Sequence, residues 1–499
     1  MTEILSRLTV VSSLQHASNE EDYDRELYEL IAYIKQPTKL NEITRNADLL
    51  LDGLNPSLHS VAYLFVFHAR VKVLGERLPK DVQPGGHLWK RAIEFLNVFD
   101  PIQVRYAGQE WRRLIELVAN AAQASSKPFL AVQAVRDAIL RLDPASETFT
   151  SSHLLLMKLC LVSRSYRHAL PVLNKSIYHF PAAPSHAYQA HRQFFLCSEH
   201  GSSAAYITHA SGFTAQVTYR DHLQYFLYGA MIYMALKEWE GALHLLCIVI
   251  SCPVANTVSK IMVEAYKKWL LVSLLAKGKV SSNQQIISTP EMINPHVMKV
   301  YQSLTLPYVS LADAFENDDT ERLRAEVDVG RAIWLADNNM GLVLQVVHAH
   351  SKSVVVKLGS TFSAVAIADI AQRIASDLVP STEVETSISS MVISSLDSTL
   401  LHSNSNHKPT MLHFHAGGAS NSFGEEHIAF LLDSERLLLT TLAANLDQSN
   451  HDLELSSEHL QFLRRAKNAS EISSGKFVMK FKDDISSWDV DEDIMSGVH

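Results

Sequence analysis

Apolar residues recur at helical spacing along most of this chain, and strand-like alternation is nearly absent from residues 1 to about 215. That pattern restricts the fold to stacked helices. Proline and glycine punctuate the runs. Pro56, Pro101 and Pro128 each stand just before an apolar-periodic run, where proline suits a first helical turn. One pattern recurs. Trp89-Lys90-Arg91-Ala92-Ile93 runs into Pro101. Tyr166-Arg167-His168-Ala169-Leu170 runs on to Pro181, with Pro171 interrupting it. Trp239-Glu240-Gly241-Ala242-Leu243 runs into Pro253. Each offers an aromatic residue, a small one three later, then an aliphatic one. The aromatics lie 77 and 73 residues apart, close to twice the ~34-residue period of tetratricopeptide repeats. In such helix pairs the small residue admits the neighbouring helix and the aromatic fills the groove beside it.

Residues 1–215 are therefore expected to form an N-terminal helical-repeat solenoid, and 216–336 to continue in helices. Gly229-Ala230-Met231-Ile232-Tyr233 with Lys237-Glu238-Trp239 makes the fullest pair. Ile261 to Val272 predicts an amphipathic helix ended near Gly278. Lys267, Lys268, Lys277 and Lys279 are expected on its solvated face, toward the end where cations complement the helix dipole.

The rhythm changes at 337–415. Asp337 or Asn338 is placed to cap a helix reaching about Leu358. Ser360 or Ser363 would cap a second, Ala364 to Ile374, and a third spans about Thr382 to Leu396. Thr399 to His402 reads as a strand, Ser403 to Lys408 as a polar turn, and Met411, Leu412, His413, Phe414 and His415 as a second strand. Three helices and a hairpin in this order make a winged helix. The second strand is β-prone and almost free of charge, so it is expected to be an open edge that pairs with another chain. From Glu425 a helix carries Ile428, Leu431, Leu432, Leu438, Leu439, Leu442 and Leu446 on one broad face, and a shorter helix ends at Lys467. These C-terminal helices occupy 425–467. Residues 468–499 are polar; between Asp483 and Asp493 there are six carboxylates and no basic residue, so this tail is expected to be disordered.

Chemistry is sparse. The formal net charge is −9, and the predicted third helix offers no Lys or Arg between Ile374 and His407, only Asp377, Glu383, Glu385 and Asp397. Phosphate would be repelled, which argues against nucleic acid as a partner. The longest mostly apolar runs, such as Trp269 to Ala276, fall far short of the ~18 residues that indicate a membrane span, and Met1-Thr2-Glu3-Ile4-Leu5 does not open a secretory signal. Cys160, Cys197, Cys247 and Cys252 lie in helical-looking segments and fit buried free thiols in a reducing compartment. Cys247 and Cys252 lack further ligands at metal-site spacing. His413-Phe414-His415 followed by Ser422-Phe423-Gly424-Glu425 approximates an isopeptidase zinc motif, but it is one residue short and ends in Glu. A strand bearing two histidines explains it without a metal. Neither a phosphate-binding loop nor a nucleophile elbow is found. No cofactor, metal or catalytic residue is expected.

A helical-repeat solenoid running into a winged helix resembles the PCI-domain family, shared by the proteasome lid, the COP-nine signalosome and a large translation initiation factor. The matching runs are Tyr228 to Tyr233, Glu264-Ala265-Tyr266-Lys267-Lys268, Leu271 to Leu274, Gly278-Lys279-Val280 and, above all, Asp337-Asn338-Asn339-Met340-Gly341. They span about 220 to 375, and the last most resembles the signalosome members. The resemblance implies a PCI domain over 216–415, in a non-catalytic scaffold subunit found in cytoplasm and nucleus. It implies winged helices stacked into an open ring with the first and eighth subunits as neighbours, and C-terminal helices gathered in one bundle. It further implies a role in removing the ubiquitin-like modifier Nedd from cullins, hence in regulating cullin-RING ubiquitin ligases. The alternative is a PCI subunit of the proteasome lid or the initiation factor complex.

Overall fold

The computed structural model describes residues 2–11, 19–73, 75, 80–181, 195–200, 202–253, 258–278, 295–366, 369, 398–401, 411–414 and a set of helical positions between 432 and 450. The described secondary structure is mostly α-helical, as expected. Contacts divide the chain into two units, 1–316 with 326–346, and 317–325 with 347–499.

The first unit opens with α1 (Thr2–Leu8), α2 (Glu20–Ile34), α3 (Pro37–Arg45), α4 (Ala47–Gly53) and α5 (Ser60–Val73). It continues with α6 (His87–Val98), α7 (Gly108–Ala124), α8 (Phe129–Leu142) and α9 (Ser151–Ser163). Elements close in sequence pack on each other: α4 on α5, α7 on α8, α8 on α9. Aromatic rings link the layers. Tyr63 stacks on Phe95 at 5.4 Å, Phe95 on Phe99 at 5.7 Å, and Trp111 meets Phe213 edge-on at 5.5 Å. Trp111, Phe95, Phe99 and Phe213 are fully buried, and each such ring contributes more than its area alone when packed at these separations.

The aromatic–small–aliphatic pattern has the expected use in two of its three copies. In α6, Trp89 and Ala92 face the core. In the pair α10 (Tyr219–Leu236) and α11 (Trp239–Ser251), Ala242 is buried, and a Cβ added at Gly229 would sit 2.8 Å from Leu173 and Leu245. The helices approach this closely because glycine leaves the space. In the middle copy Pro171 prevents a long helix. Tyr166–His168 is a single 3-10 turn, followed by one turn of α-helix, Leu170–Leu173. Next come α12 (Lys260–Lys277), ended by left-handed Gly278 at φ +66°, then α13 (Pro295–Leu304), α14 (Leu306–Glu316), α15 (Thr320–Val329), α16 (Arg331–Ala336) and α17 (Met340–Thr361). The division between the units falls within α15 and α17.

In the second unit, Asp318 accepts from Lys357 of α17 at 2.5 Å. A three-stranded antiparallel sheet follows: β1 (Ala364–Ala366), β2 (Ser398–Leu401) and β3 (Met411–Phe414), in the order β1-β3-β2. Leu412 faces Val365 on one side and Leu400 on the other. Two expectations need correction here. Ala364–Ala366 is a strand, not the start of a second helix, because its backbone pairs with Met411 to His413. Met411–Phe414 is the central strand, not an open edge, because both of its sides are paired and Leu412 is fully buried. The expected third helix, the polar turn 403–408, His402, His415 and the tail 468–499 lie outside the described residues.

One buried titratable group makes the first unit acid-sensitive. His153, in the first turn of α9, accepts from the Thr150 backbone N–H at Nδ1 (3.2 Å) and bonds Ser146 Oγ through Nε2 (2.8 Å). That fixes the neutral tautomer with its proton on Nε2. Burial holds the imidazole down to about 4, against a weaker upward pull from Asp143. The unfolded chain binds this proton at higher pH than the folded one. Its stabilisation is therefore complete above the unfolded value of about 6.5 and is lost as pH falls toward 4, a contribution of about 3 kcal/mol. The urea midpoint should fall over that interval, and the slope should flatten in His153→Gln.

Candidate assembly site

The Asp337–Gly341 run is the turn between α16 and α17, and it holds a connected, largely buried polar cluster of the first unit. Trp334 is the one buried residue of α16, locked by its indole N–H on Val327 O at 3.1 Å and edge-on to the Tyr308 ring at 4.5 Å. Asp337 ends α16. Asn338 then adopts the left-handed region at φ +53°, which asparagine tolerates better than most side chains. That single residue turns the chain so that the Asn339 carbonyl receives the first N–H groups of α17, from Leu342 and Val343, both at 3.0 Å. Asn339, not Asp337 or Asn338, thus stands at the start of α17.

The Asn339 side chain does not cap the helix. It is buried, accepts from Lys268 Nζ at 2.7 Å, and donates to Tyr308 OH at 2.9 Å and to Glu264 at 3.3 Å. Lys268 also donates to Glu264. Lys267 donates to Asp337 at 2.7 Å, and Tyr308 donates to the same carboxylate at 2.8 Å. Burial alone would raise the Asp337 carboxyl, but the bonds from Lys267 and Tyr308 and the charges of Lys267 and Lys268 outweigh it and hold the group below its usual range. Tyr308 is pushed far up, by burial first. The network joins α12, α14 and the α16–α17 turn.

Lys267 and Lys268 therefore do not form a solvated face. Lys268 is 7% exposed, and its charge is matched inside the fold, as a buried cation requires. A sequence signal existed: two adjacent lysines between Tyr266 and Trp269, both buried, leave at least one facing inward. Of the remaining identifying residues, Met340 is half-buried and Gly341 exposed, with nothing within 4 Å of an added Cβ.

The other expected interaction residues fall in the second unit. Met411 is half-buried in β3, while His413 and Phe414 pair through their backbones with β1 or β2. Leu432, Leu439, Leu442 and Leu446 are helical and exposed, at 66%, 64%, 48% and 64%. Ile428, Leu431 and Leu438 lie outside the described residues. Leu432, Leu439, Leu442 and Leu446 recur at spacings of seven, three and four, the period of a helix that packs on other helices, while Leu437, exposed at 68%, falls outside that spacing. Among the described residues no group of three His, Cys, Asp or Glu could hold a metal, and the four cysteines are unpaired by disulfides. Burial raises the thiols of Cys160, to about 12, and of Cys197, Cys247 and Cys252, the opposite of an activated nucleophile.

Along the chain, helical repeats are followed by α17 and a three-stranded sheet. Residues 22–290 match the family of COP9 signalosome complex subunit 3, N-terminal helical repeats. The chain is 45% identical over 503 aligned positions, covering 99% of both chains, to COP9 signalosome complex subunit 3 of Emericella nidulans. It is 26% identical over 362 positions, 71% of this chain and 74% of the other, to the protein of that name in Drosophila melanogaster. The chain belongs to the COP9 signalosome complex subunit 3 family.

The network separates two residues of one identifying run. Asn339→Ala removes one of two partners from each of Lys268 and Tyr308 and should cost about 1–3 kcal/mol in chemical denaturation. Gly341→Ala meets open space and should stay within about 0.5 kcal/mol of the parent.

Proposed function

We propose that this chain is a non-catalytic scaffold subunit of a COP9 signalosome. The observation that carries the reading is likeness to one named subunit over 99% of both chains. The buried network supports it, because it fixes the start of α17 to α12 and α14. The proposed division of labour is a solenoid over 1–215, PCI helices over 216–336, a winged helix over 337–415, helices for a multi-subunit bundle over 425–467 and an acidic tail over 468–499. Partners would be other signalosome subunits, with the first and eighth as ring neighbours, and cullin-RING ligases through the assembled complex, in cytoplasm and nucleus. No helix among the described residues is long and apolar enough to cross a membrane.

The pairing surfaces shift with the sheet order. Among the described strands the outer ones are β1, Ala-Val-Ala, and β2, Ser-Thr-Leu-Leu, and neither carries a charge to discourage pairing. The exposed leucines at 432, 439, 442 and 446 form the bundle contact. Purification of the endogenous protein with identification of its partners tests the whole reading. Recovery of a cullin-deneddylating complex is expected, and recovery of proteasome or ribosomal proteins instead would overturn it.

A charge placed on an edge should act locally. Ala364 and Thr399 both face His413 in the register, on the opposite side of the sheet from Leu412. Ala364→Lys and Thr399→Lys should each weaken co-purification of a different neighbour while leaving the circular dichroism spectrum unchanged. Ending the chain before Glu425 should loosen incorporation through the bundle and leave edge pairing in place. Normal assembly of all three variants on a sizing column would remove the basis for both contacts.

A further inference from the structure

From Thr148 to Ser198 this acidic chain carries no Asp or Glu, although 53 of its 499 residues are acidic. The described part of the run builds α9 and the turn after it. Lys158, Arg164, Arg167 and His168 are exposed there. Helices α8 and α9 pack on each other as a hairpin, and α8 also touches the Tyr166–His168 turn. Arg136, midway along α8, lies close enough to Cys160 of α9 to pull down its thiol. The start of α8 therefore lies beside the end of α9. That start contributes exposed Lys127 and two exposed apolar side chains, Phe129 at 55% and Leu130 at 38%, and the end of α9 contributes Val162 at 67%.

Lys127, Lys158, Arg164 and Arg167 have no carboxylate partner among the described residues, whereas Arg136 of α8 and Arg112 of the neighbouring α7 do. Arg136 is held by Asp137 at 2.7 Å and Arg112 by Glu116 at 3.3 Å. Acids near the hairpin are engaged or distant. Asp137 is taken by Arg136, while Asp143 and Glu147 lie in the connection at the opposite end. Glu238 follows Lys237 in the next repeat's turn. An ordinary solvated face on this protein mixes both signs. This one is cationic around an apolar centre.

We propose that the end of the α8–α9 hairpin, with the Tyr166–His168 turn, is a docking surface for an acidic protein segment that carries an aliphatic or aromatic side chain. Charge complementarity selects the sign of the partner, and Phe129, Leu130 and Val162 receive its apolar residue. Nucleic acid is a poorer fit. The apolar centre offers one exposed ring, Phe129, instead of a row of stacking rings, and the overall negative charge opposes a long polyanion.

The test is fluorescence anisotropy of the purified full chain with a fluorescein-labelled peptide of Asp and Glu interrupted by leucines. Binding should weaken as salt rises, and Lys158→Glu with Arg164→Glu and Arg167→Glu should lower affinity about tenfold. Arg164→Gly guards against misfolding. Arg164 ends α9 at φ +55°, where glycine is the least strained residue, so this change removes the guanidinium without disturbing the helix end. It should still weaken the peptide severalfold, and Val162→Ser should weaken it at high salt as well. No binding, or equal binding by the triple variant and by Arg164→Gly, overturns the proposal. Tighter binding of polyuridylate or of phosphatidylserine vesicles than of the peptide also overturns it. The measurement uses the isolated chain, so its outcome is separate from whether the protein enters a signalosome.

Discussion

Burying one ammonium group organises the centre of this protein. Lys268 lies inside the fold on α12, and an unmatched charge there would cost several kcal/mol. Glu264 supplies the counter-charge one turn back, and Asn339 supplies an oxygen from the α16–α17 turn. Because Asn339 also donates to Tyr308 and Glu264, its amide has a single satisfying orientation. A shift of α17 along or around its axis would break several of these bonds together. A greasy contact in the same place would tolerate sliding. The network exchanges some stability for a fixed register, the best attested use of buried polar groups.

That logic explains which parts of the identifying run are constrained. Asp337 and Asn339 point to opposite members of the lysine pair, and Asn338 supplies the left-handed step that lets both do so. Gly341 has open space around its Cα, so nothing in the first unit requires glycine there. The sequence showed the run as distinctive. Its partners, seventy residues earlier on α12, could not be inferred from helical periodicity, which describes a helix's faces but not what covers them. Lys267 and Lys268 were legible only as cations near a helix end.

The sheet shows the same limit. Its strands β2 and β3 are visible as β-prone segments, and both form where expected. Strand β1 has three residues, too few for an alternation to register, and its neighbours at helical spacing made it look like the start of a helix. Its state is decided by pairing with Met411 to His413, a nonlocal event. Adding one strand reversed the role of β3, because a strand paired on both sides has no hydrogen-bonding groups left to offer. The helical repeats were far more legible, since each is specified by residues near one another in the chain. The exception, the Tyr166 copy, failed to form a long helix because of the proline that stood in plain view.

The molecule thus separates surfaces by chemistry. In the second unit, two short uncharged strand edges suit backbone pairing, which is tolerant of side-chain identity, and the leucine stripe suits helices of the same period. In the first unit, the α8–α9 hairpin end combines cations that lack a carboxylate partner among the described residues with exposed Phe129, Leu130 and Val162. Backbone edges cannot discriminate one strand from another on their own. A charged patch can, because a like-charged partner is repelled and an acidic one is drawn in. A surface of the second kind can therefore carry a selectivity that backbone edges lack.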